Sequence, residues 1–115
     1  MGTYRTVTVV VGSCYHAGAL AALDGLRAGA TLSLQREPTN PHDPNAVAVY
    51  SEDGAMLGHV PRNQAALLAT HMDCGAQMAC ALIGKATRTI EIRWDTGKPD
   101  GGVVFAKLPP YEGDG

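Results

Sequence analysis

The sequence predicts a mainly β domain with α elements (α+β). The expected form is a small, closed or nearly closed barrel of about six short strands. One clear helix is expected over about 61–74 and one short helix over about 19–26. Three observations carry this prediction. Short β-branched or alternating runs recur along the chain, separated by Gly, Pro, Asn and Asp. Only one segment, PRNQAALLATHMD, has the length and apolar spacing of a well-formed helix. Finally, so many short strands would leave unpaired edges unless the sheet curled toward closure.

The elements follow in order. Residues 6–11 (TVTVVV) are β-branched and read as the first strand. Residues 12–18 (GSCYHAG) form a glycine-bounded loop that carries Tyr15 and His16. Residues 19–26 have helical composition, with Leu20, Leu23 and Leu26 three apart and a stop at Gly25 or Gly29. Leu32 and Leu34 alternate with Thr31, Ser33 and Gln35, the pattern of a half-buried strand. Residues 46–50 form the next strand, with Val47 and Val49 on one face. SEDG at 51–54 makes a hairpin turn, and residues 56–60 return.

Pro61 suits the first turn of a helix, where its missing N–H would be unpaired anyway. Ala65, Leu67, Leu68, Ala69 and Met72 give that helix an apolar side, and Gly75 fits the position just past its end. Strands are expected at 77–83 and 89–94. In the second, Ile90, Ile92 and Trp94 face one way and Thr89, Glu91 and Arg93 the other. GGVVFAKL at 101–108 is a candidate last strand. A single domain over 1–108 and a flexible acidic tail, PPYEGDG at 109–115, complete the organisation.

At 115 residues the chain can bury one real core, and 45% apolar residues is ordinary for a globular domain. A net charge of −2 excludes a strongly basic, salt-driven nucleic-acid binder but leaves room for a local basic patch. No apolar run approaches the ~20 residues of a membrane span, and MGTYRTVTVVVG reads as a strand, not a signal peptide. Cys14, Cys74 and Cys80 are odd in number and lack CxxC spacing, which fits reduced thiols and a cytoplasmic location. His71 and Cys74 could share a helix face, but no second pair completes a zinc site. Both read as filling the helix–sheet interface, and neither metal nor cofactor is expected. Asp43 has only His42 and His59 for company, too little for a metal-dependent nuclease, so no catalytic residue is assigned.

Three segments carry the chemistry. In REPTNPHDPNAVAVY, residues 36–50, Asn40 and Asp43 readily bond nearby backbone N–H groups, while Pro41 and Pro44 stiffen the chain around them. One reading is a stiff loop that satisfies itself; the other is that Asp43 is held as an acceptor for a ligand hydroxyl or amino group. In LGHVPRNQ, residues 57–64, His59 precedes a helix start and Arg62 lies in its first turn, a combination that favours anions. The plain alternatives are a half-buried histidine and a solvated charge. In VGSCYHAG, residues 11–18, Tyr15 and His16 are placed to stack on bases, or Tyr15 packs on the core.

Taken together, VGSCYHAG, then LSLQREPTNPHDPNAVAVY, then DGAMLGHVPRNQAALLATHMDCG resemble the HIRAN domain, a module of fork-remodelling translocases. The resemblance runs from about residue 9 to residue 94. It implies an OB-like barrel and a non-enzymatic module for DNA repair or replication-fork processing that captures the 3′ end of single-stranded DNA. Carried onto this chain, Tyr15 stacks on the terminal base and Asp43 accepts a hydrogen bond from the 3′-hydroxyl. His59 and Arg62 meet phosphate oxygens, and His16, Asn40 and His42 line the pocket. An RNA end offers the same hydroxyl. A helicase or nuclease is the implied protein partner, with no membrane and no cofactor. Two departures point to weaker binding. The translocase pattern has arginine and tyrosine where this chain has Cys14 and His16, and the stretch after Ile83 lacks the family's pocket aromatic. The rival expectation is a protein-interaction β-barrel that has lost DNA-end binding.

Overall fold

The alternating runs form strands, and the strands join one sheet. The computed structural model describes residues 3–95, 103–105 and 108. Within them lie β1 (Thr3–Val9), a single 3₁₀ turn (Ser13–Tyr15), α1 (Ala19–Asp24), β2 (Thr31–Arg36), β3 (Val47–Ser51) and β4 (Met56–His59). These are followed by α2 (Arg62–Asp73), β5 (Met78–Gly84), β6 (Thr89–Asp95) and β7 (Val103–Phe105). The sheet order is β4-β3-β2-β5-β6-β1-β7. The first six strands of that order pair antiparallel, and β7 adds in parallel against Thr3–Arg5 of β1.

The expected α+β class and both helices are present, but the sheet is not closed. β4 and the chain beyond β1 meet at one isolated bridge, where Val11 N–H donates to His59 O at 2.8 Å and His59 N–H donates to Val11 O at 3.0 Å. The ladder cannot lengthen there. On one side the chain turns into the 3₁₀ turn at Ser13. On the other, Pro61 has no N–H to donate and the chain enters α2.

The core lies between the sheet and α2. Val47, Val49, Leu57, Leu68, Leu82, Ile90 and Ile92 are fully buried, and Trp94 closes one end. Each buried Leu or Ile contributes about 1.5–3 kcal/mol by leaving water. Helix α2 supplies Ala65, Leu68 and Ala69 to this layer, while Leu67 is only half-buried. Gly75 takes φ +97°. The Gly75 N–H donates to Met72 O and the Ala76 N–H to His71 O, the paired bonds that end a helix in left-handed geometry.

Several boundaries differ from those the sequence predicts. β1 begins at Thr3, because it pairs with β6 over all seven positions from Thr3↔Asp95 to Val9↔Thr89. Its expected last residues, Val10 and Val11, leave that ladder for other partners. α1 stops at Asp24, two residues early, at Gly25. In β3 not only Val47 and Val49 but also Ala48 is buried, so the strand is covered on both faces. β6 alternates as expected, with Ile90, Ile92 and Trp94 inside. Of the candidate last strand, Val103–Phe105 form β7, while residues 101, 102, 106 and 107 and the expected tail at 109–115 lie outside the described residues. No helix among the described residues is long and apolar enough to cross a membrane.

Candidate functional site

The loop between β2 and β3 is built from its base upward. Arg36 ends β2, and its Nη1 donates to Ala46 O at 3.0 Å. Its Nε and Nη2 grip the Asp73 carboxylate at the end of α2, at 2.9 and 3.1 Å. This pairing holds the Asp73 carboxyl below its ordinary range. The Glu37 N–H also donates to Ala46 O, at 3.0 Å, closing the loop. Inside it, Asn40 Oδ1 accepts the backbone N–H of His42 at 2.8 Å and of Asp43 at 3.2 Å. Asp43 Oδ1 accepts the Asn45 N–H at 2.9 Å. These are the local bonds that short polar side chains offer a backbone fixed by prolines. One Asp43 oxygen is thereby used, and Oδ2 has no hydrogen-bond partner among the described residues.

The second wall is the β4–α2 junction. His59 Nε2 lies 2.7 Å from Glu37 Oε1, and Asn40 Nδ2 donates to the same oxygen at 3.0 Å. Burial raises the Glu37 pKa, but hydrogen bonds from His59 and Asn40 and the charges of His59 and His16 outweigh it and leave the carboxyl below its ordinary range. An ionised carboxylate only accepts, so Nε2 carries the proton. The other ring nitrogen, Nδ1, has no hydrogen-bond partner among the described residues. The His16 ring leans on His59, with centroids 5.3 Å apart. Arg62 opens α2, is exposed, and forms no ion pair among the described residues.

The third wall is the 3₁₀ turn. Ser13 is buried and its Oγ donates to Leu57 O at 2.5 Å, tying the turn to β4. Gly58 allows this approach. Its φ is +145°, and a Cβ there would overlap the Val11 carbonyl oxygen and stand 2.8 Å from Val10 Cγ1. Tyr15 is 77% exposed, which removes the reading that it packs on the core.

All seven residues singled out in the sequence line one open cavity of about 370 Å³: Tyr15, His16, Asn40, His42, Asp43, His59 and Arg62. Val11, Gly12, Ala46 and Val60 supply its apolar surface. Its fixed charges balance, Arg62 against Asp43, and three imidazoles add donors and acceptors. Such a surface can hold a hydroxyl, a phosphate oxygen and a flat ring together. Glu37 and Gly58 are the positions that sequence reasoning missed. An acid after a strand resembles a solvated charge, and nothing local marks a glycine that a neighbouring turn requires.

Elsewhere, His71 does fill the helix–sheet interface, with its ring 5.4 Å from Tyr4 and 5.2 Å from Trp94. Cys74 does not; it is exposed, at the position just past the last turn of α2. Burial, with the charge of Glu91, pushes the Cys80 thiol up to about 12. The described residues contain no group of three or more His, Cys, Asp or Glu able to hold a metal ion.

Comparison with known proteins places these features in context. The family model described as HIRAN domain matches residues 3–93. The helicase-like transcription factor (HLTF) of Mus musculus is 48% identical over 42 residues, 36% of this chain, and that of Oryctolagus cuniculus is 45% identical over the same length. The match spans 4% of the length of either relative. Among solved structures, a protein from Lactobacillus plantarum superposes with a TM-score of 0.69 at 31% identity, covering 81% of this chain and 96% of that one. The HIRAN domain of human HLTF gives 0.64 at 28% identity, covering 81% and 74%. The HLTF HIRAN domain in its DNA-bound conformation gives 0.54 at 28% identity, covering 82% and 73%.

Proposed function

The chain belongs to the HIRAN domain family, and on that premise we propose that it is a non-enzymatic module that binds single-stranded DNA by its 3′-hydroxyl end. One observation carries the reading: side chains from three separate segments of the sequence converge on a single cavity beside a helix start. The DNA-bound conformation of the HLTF domain supports DNA as the ligand class.

In this reading the terminal base lies on the exposed Tyr15 ring. The 3′-hydroxyl donates to the free Asp43 oxygen. Arg62 and His59 take phosphate oxygens. A terminal 3′-phosphate would meet the Asp43 carboxylate and be repelled, which gives end selectivity. A 3′-terminal ribose carries the same hydroxyl, so an RNA end is a close variant. The setting this fits is DNA repair or replication-fork processing, alongside a helicase or nuclease that acts on the same strand.

The test is fluorescence anisotropy at about 50 mM salt, where phosphate contacts are strongest. The probes are 5′-labelled single strands ending in a 3′-hydroxyl or a 3′-phosphate. Preference for the hydroxyl end is expected. Binding to neither strand would overturn the proposal in favour of a protein-interaction barrel, with Cys14 and His16 in place of a cation and a larger aromatic as the reason.

A further inference from the structure

Apart from Tyr15, two large apolar side chains among the described residues stand in water: Leu20 is 49% exposed and Ile83 is 43% exposed. Leu20 belongs to α1 and Ile83 to the end of β5, and these two elements are joined. The chain leaving α1 runs beside β5, where the Gly29 N–H donates to Leu82 O at 2.6 Å and the Leu82 N–H to Ala30 O at 2.9 Å. Lys85, in the turn after β5, reaches across to α1. Its Nζ donates to Asp24 O and stands 3.9 Å from the Asp24 carboxylate.

The joint encloses an open hollow of about 200 Å³, lined by Leu20, Leu23, Asp24, Lys85, Ala86 and Arg88. Leu20 and Asp24 are one helical turn apart and share a face of α1. Leu23 is buried and belongs to the core. An apolar centre with a charged rim is the build of a protein–protein contact.

The rim is not neutral. It carries two cations, Lys85 and Arg88, against one carboxylate, Asp24, on a chain whose net charge is −2. Lys85 and Asp24 face each other, whereas Arg88 is exposed and forms no ion pair among the described residues. The surplus charge invites a carboxylate. Nucleic acid fits this surface poorly. No ring lines the hollow for a base to stack on, and the Asp24 carboxylate, 91% exposed, repels phosphate.

We propose that the hollow between α1 and the β5–β6 turn is a docking site for a partner protein, which enters it with one large apolar side chain from an acidic segment and sets a carboxylate on Arg88. None of the seven residues of the strand-end cavity lines this hollow, so the proposal does not rest on the strand-end reading. The two surfaces are still neighbours in the chain. The Ala19 N–H at the start of α1 donates to His16 O at 3.1 Å, so a partner held on Leu20 stands beside the cavity without filling it.

The experiment is an amide NMR titration of the full, isotope-labelled chain with two acetylated pentapeptides, Asp-Glu-Phe-Asp-Glu and Asp-Glu-Ala-Asp-Glu. It is repeated with Leu20→Ser and Arg88→Gln. The Phe peptide is expected to move the amides of Leu20, Asp24, Lys85 and Ala86, and the Ala peptide to leave them in place. Leu20→Ser should weaken the Phe peptide by at least about fivefold, the effect of truncating an interface anchor. Its melting temperature and its affinity for single strands should match the parent's, because Leu20 is exposed and lies outside the cavity. Arg88→Gln should weaken the same peptide and reduce its sensitivity to salt. The proposal fails if the two peptides act alike, if the Phe peptide moves none of these amides at up to about 1 mM, or if Leu20→Ser binds it like the parent. Displacement of the Phe peptide by a single strand would also overturn it, and would make the hollow a nucleic-acid surface.

Discussion

His59 and Glu37 are joined 2.7 Å apart, Nε2 to Oε1, across the gap between the β4 edge and the base of the proline-rich loop. The contact couples two walls of the cavity and decides which ring nitrogen is left for a ligand. Neither residue is useful there alone. Without Glu37, His59 could turn either nitrogen outward, and without His59, Glu37 would keep only Asn40.

Glu37→Gln should weaken binding of 3′-hydroxyl strands more than it lowers the melting temperature. It should also change how stability responds to acid. The folded-state pKa of Glu37 is depressed, so its ionisation contributes stability above the ordinary carboxylate value of 4.5, and the contribution is lost as pH falls through the lowered folded value. Melting temperatures from pH 7 down to 3 check this: the gap between parent and Glu37→Gln should be widest near neutrality and shrink in acid.

Asp43→Asn keeps an oxygen for the Asn45 N–H and removes the charge. The ratio of 3′-hydroxyl to 3′-phosphate affinity is expected to fall toward one, with little change in thermal stability. Equal weakening of both ligands would show that Asp43 only shapes the loop.

Tyr15→Ala should lower affinity for any terminal base by about 1–3 kcal/mol, roughly five- to 150-fold. Because the ring is exposed, stability should move by less than about 0.5 kcal/mol. Unchanged affinity in anisotropy titrations would mean that the ring does not stack.

Gly58→Ala should be strongly destabilising. The left-handed backbone alone costs a residue with a Cβ about 1–3 kcal/mol, and the overlap with Val11 O adds to it. Urea unfolding measures the loss. The variant should also show weakened strand binding at temperatures where it is still folded, because the turn bearing Tyr15 is tied to β4 beside Gly58.

Leu68→Ala provides a contrast away from the cavity. The side chain is fully buried in the core, so a cost of about 2–5 kcal/mol is expected, with binding by the folded fraction unchanged. Denaturation curves paired with titration of the folded protein separate the two effects.

The pattern-bearing parts of the fold were legible from residues. β6 shows clean alternation and α2 has both a proline start and a glycine stop, so each lies close to where periodicity puts it. β1 was harder, because its boundary depends on the distant partner β6, not on its own composition. Closure was overestimated for a similar reason: edge exposure argues for a barrel, but only the geometry at Val11, Gly58 and Pro61 decides whether the edges zip. The segments bearing the cavity residues were visible through their prolines and short polar side chains. That they converge was implied by the family resemblance and not by spacing. Glu37 stayed hidden, since its importance lies in a contact 22 positions away.

The single bridge between Val11 and His59 has a kinetic consequence. Two hydrogen bonds are a short zipper, and the cavity lies directly over it. A strand end seated there touches residues on both sides, so its departure and the parting of the zipper become linked events. The amides of Val11 and His59 are then natural clocks for the complex: their hydrogen exchange should slow when a strand end is bound, while that of β5 and β6 stays where it was.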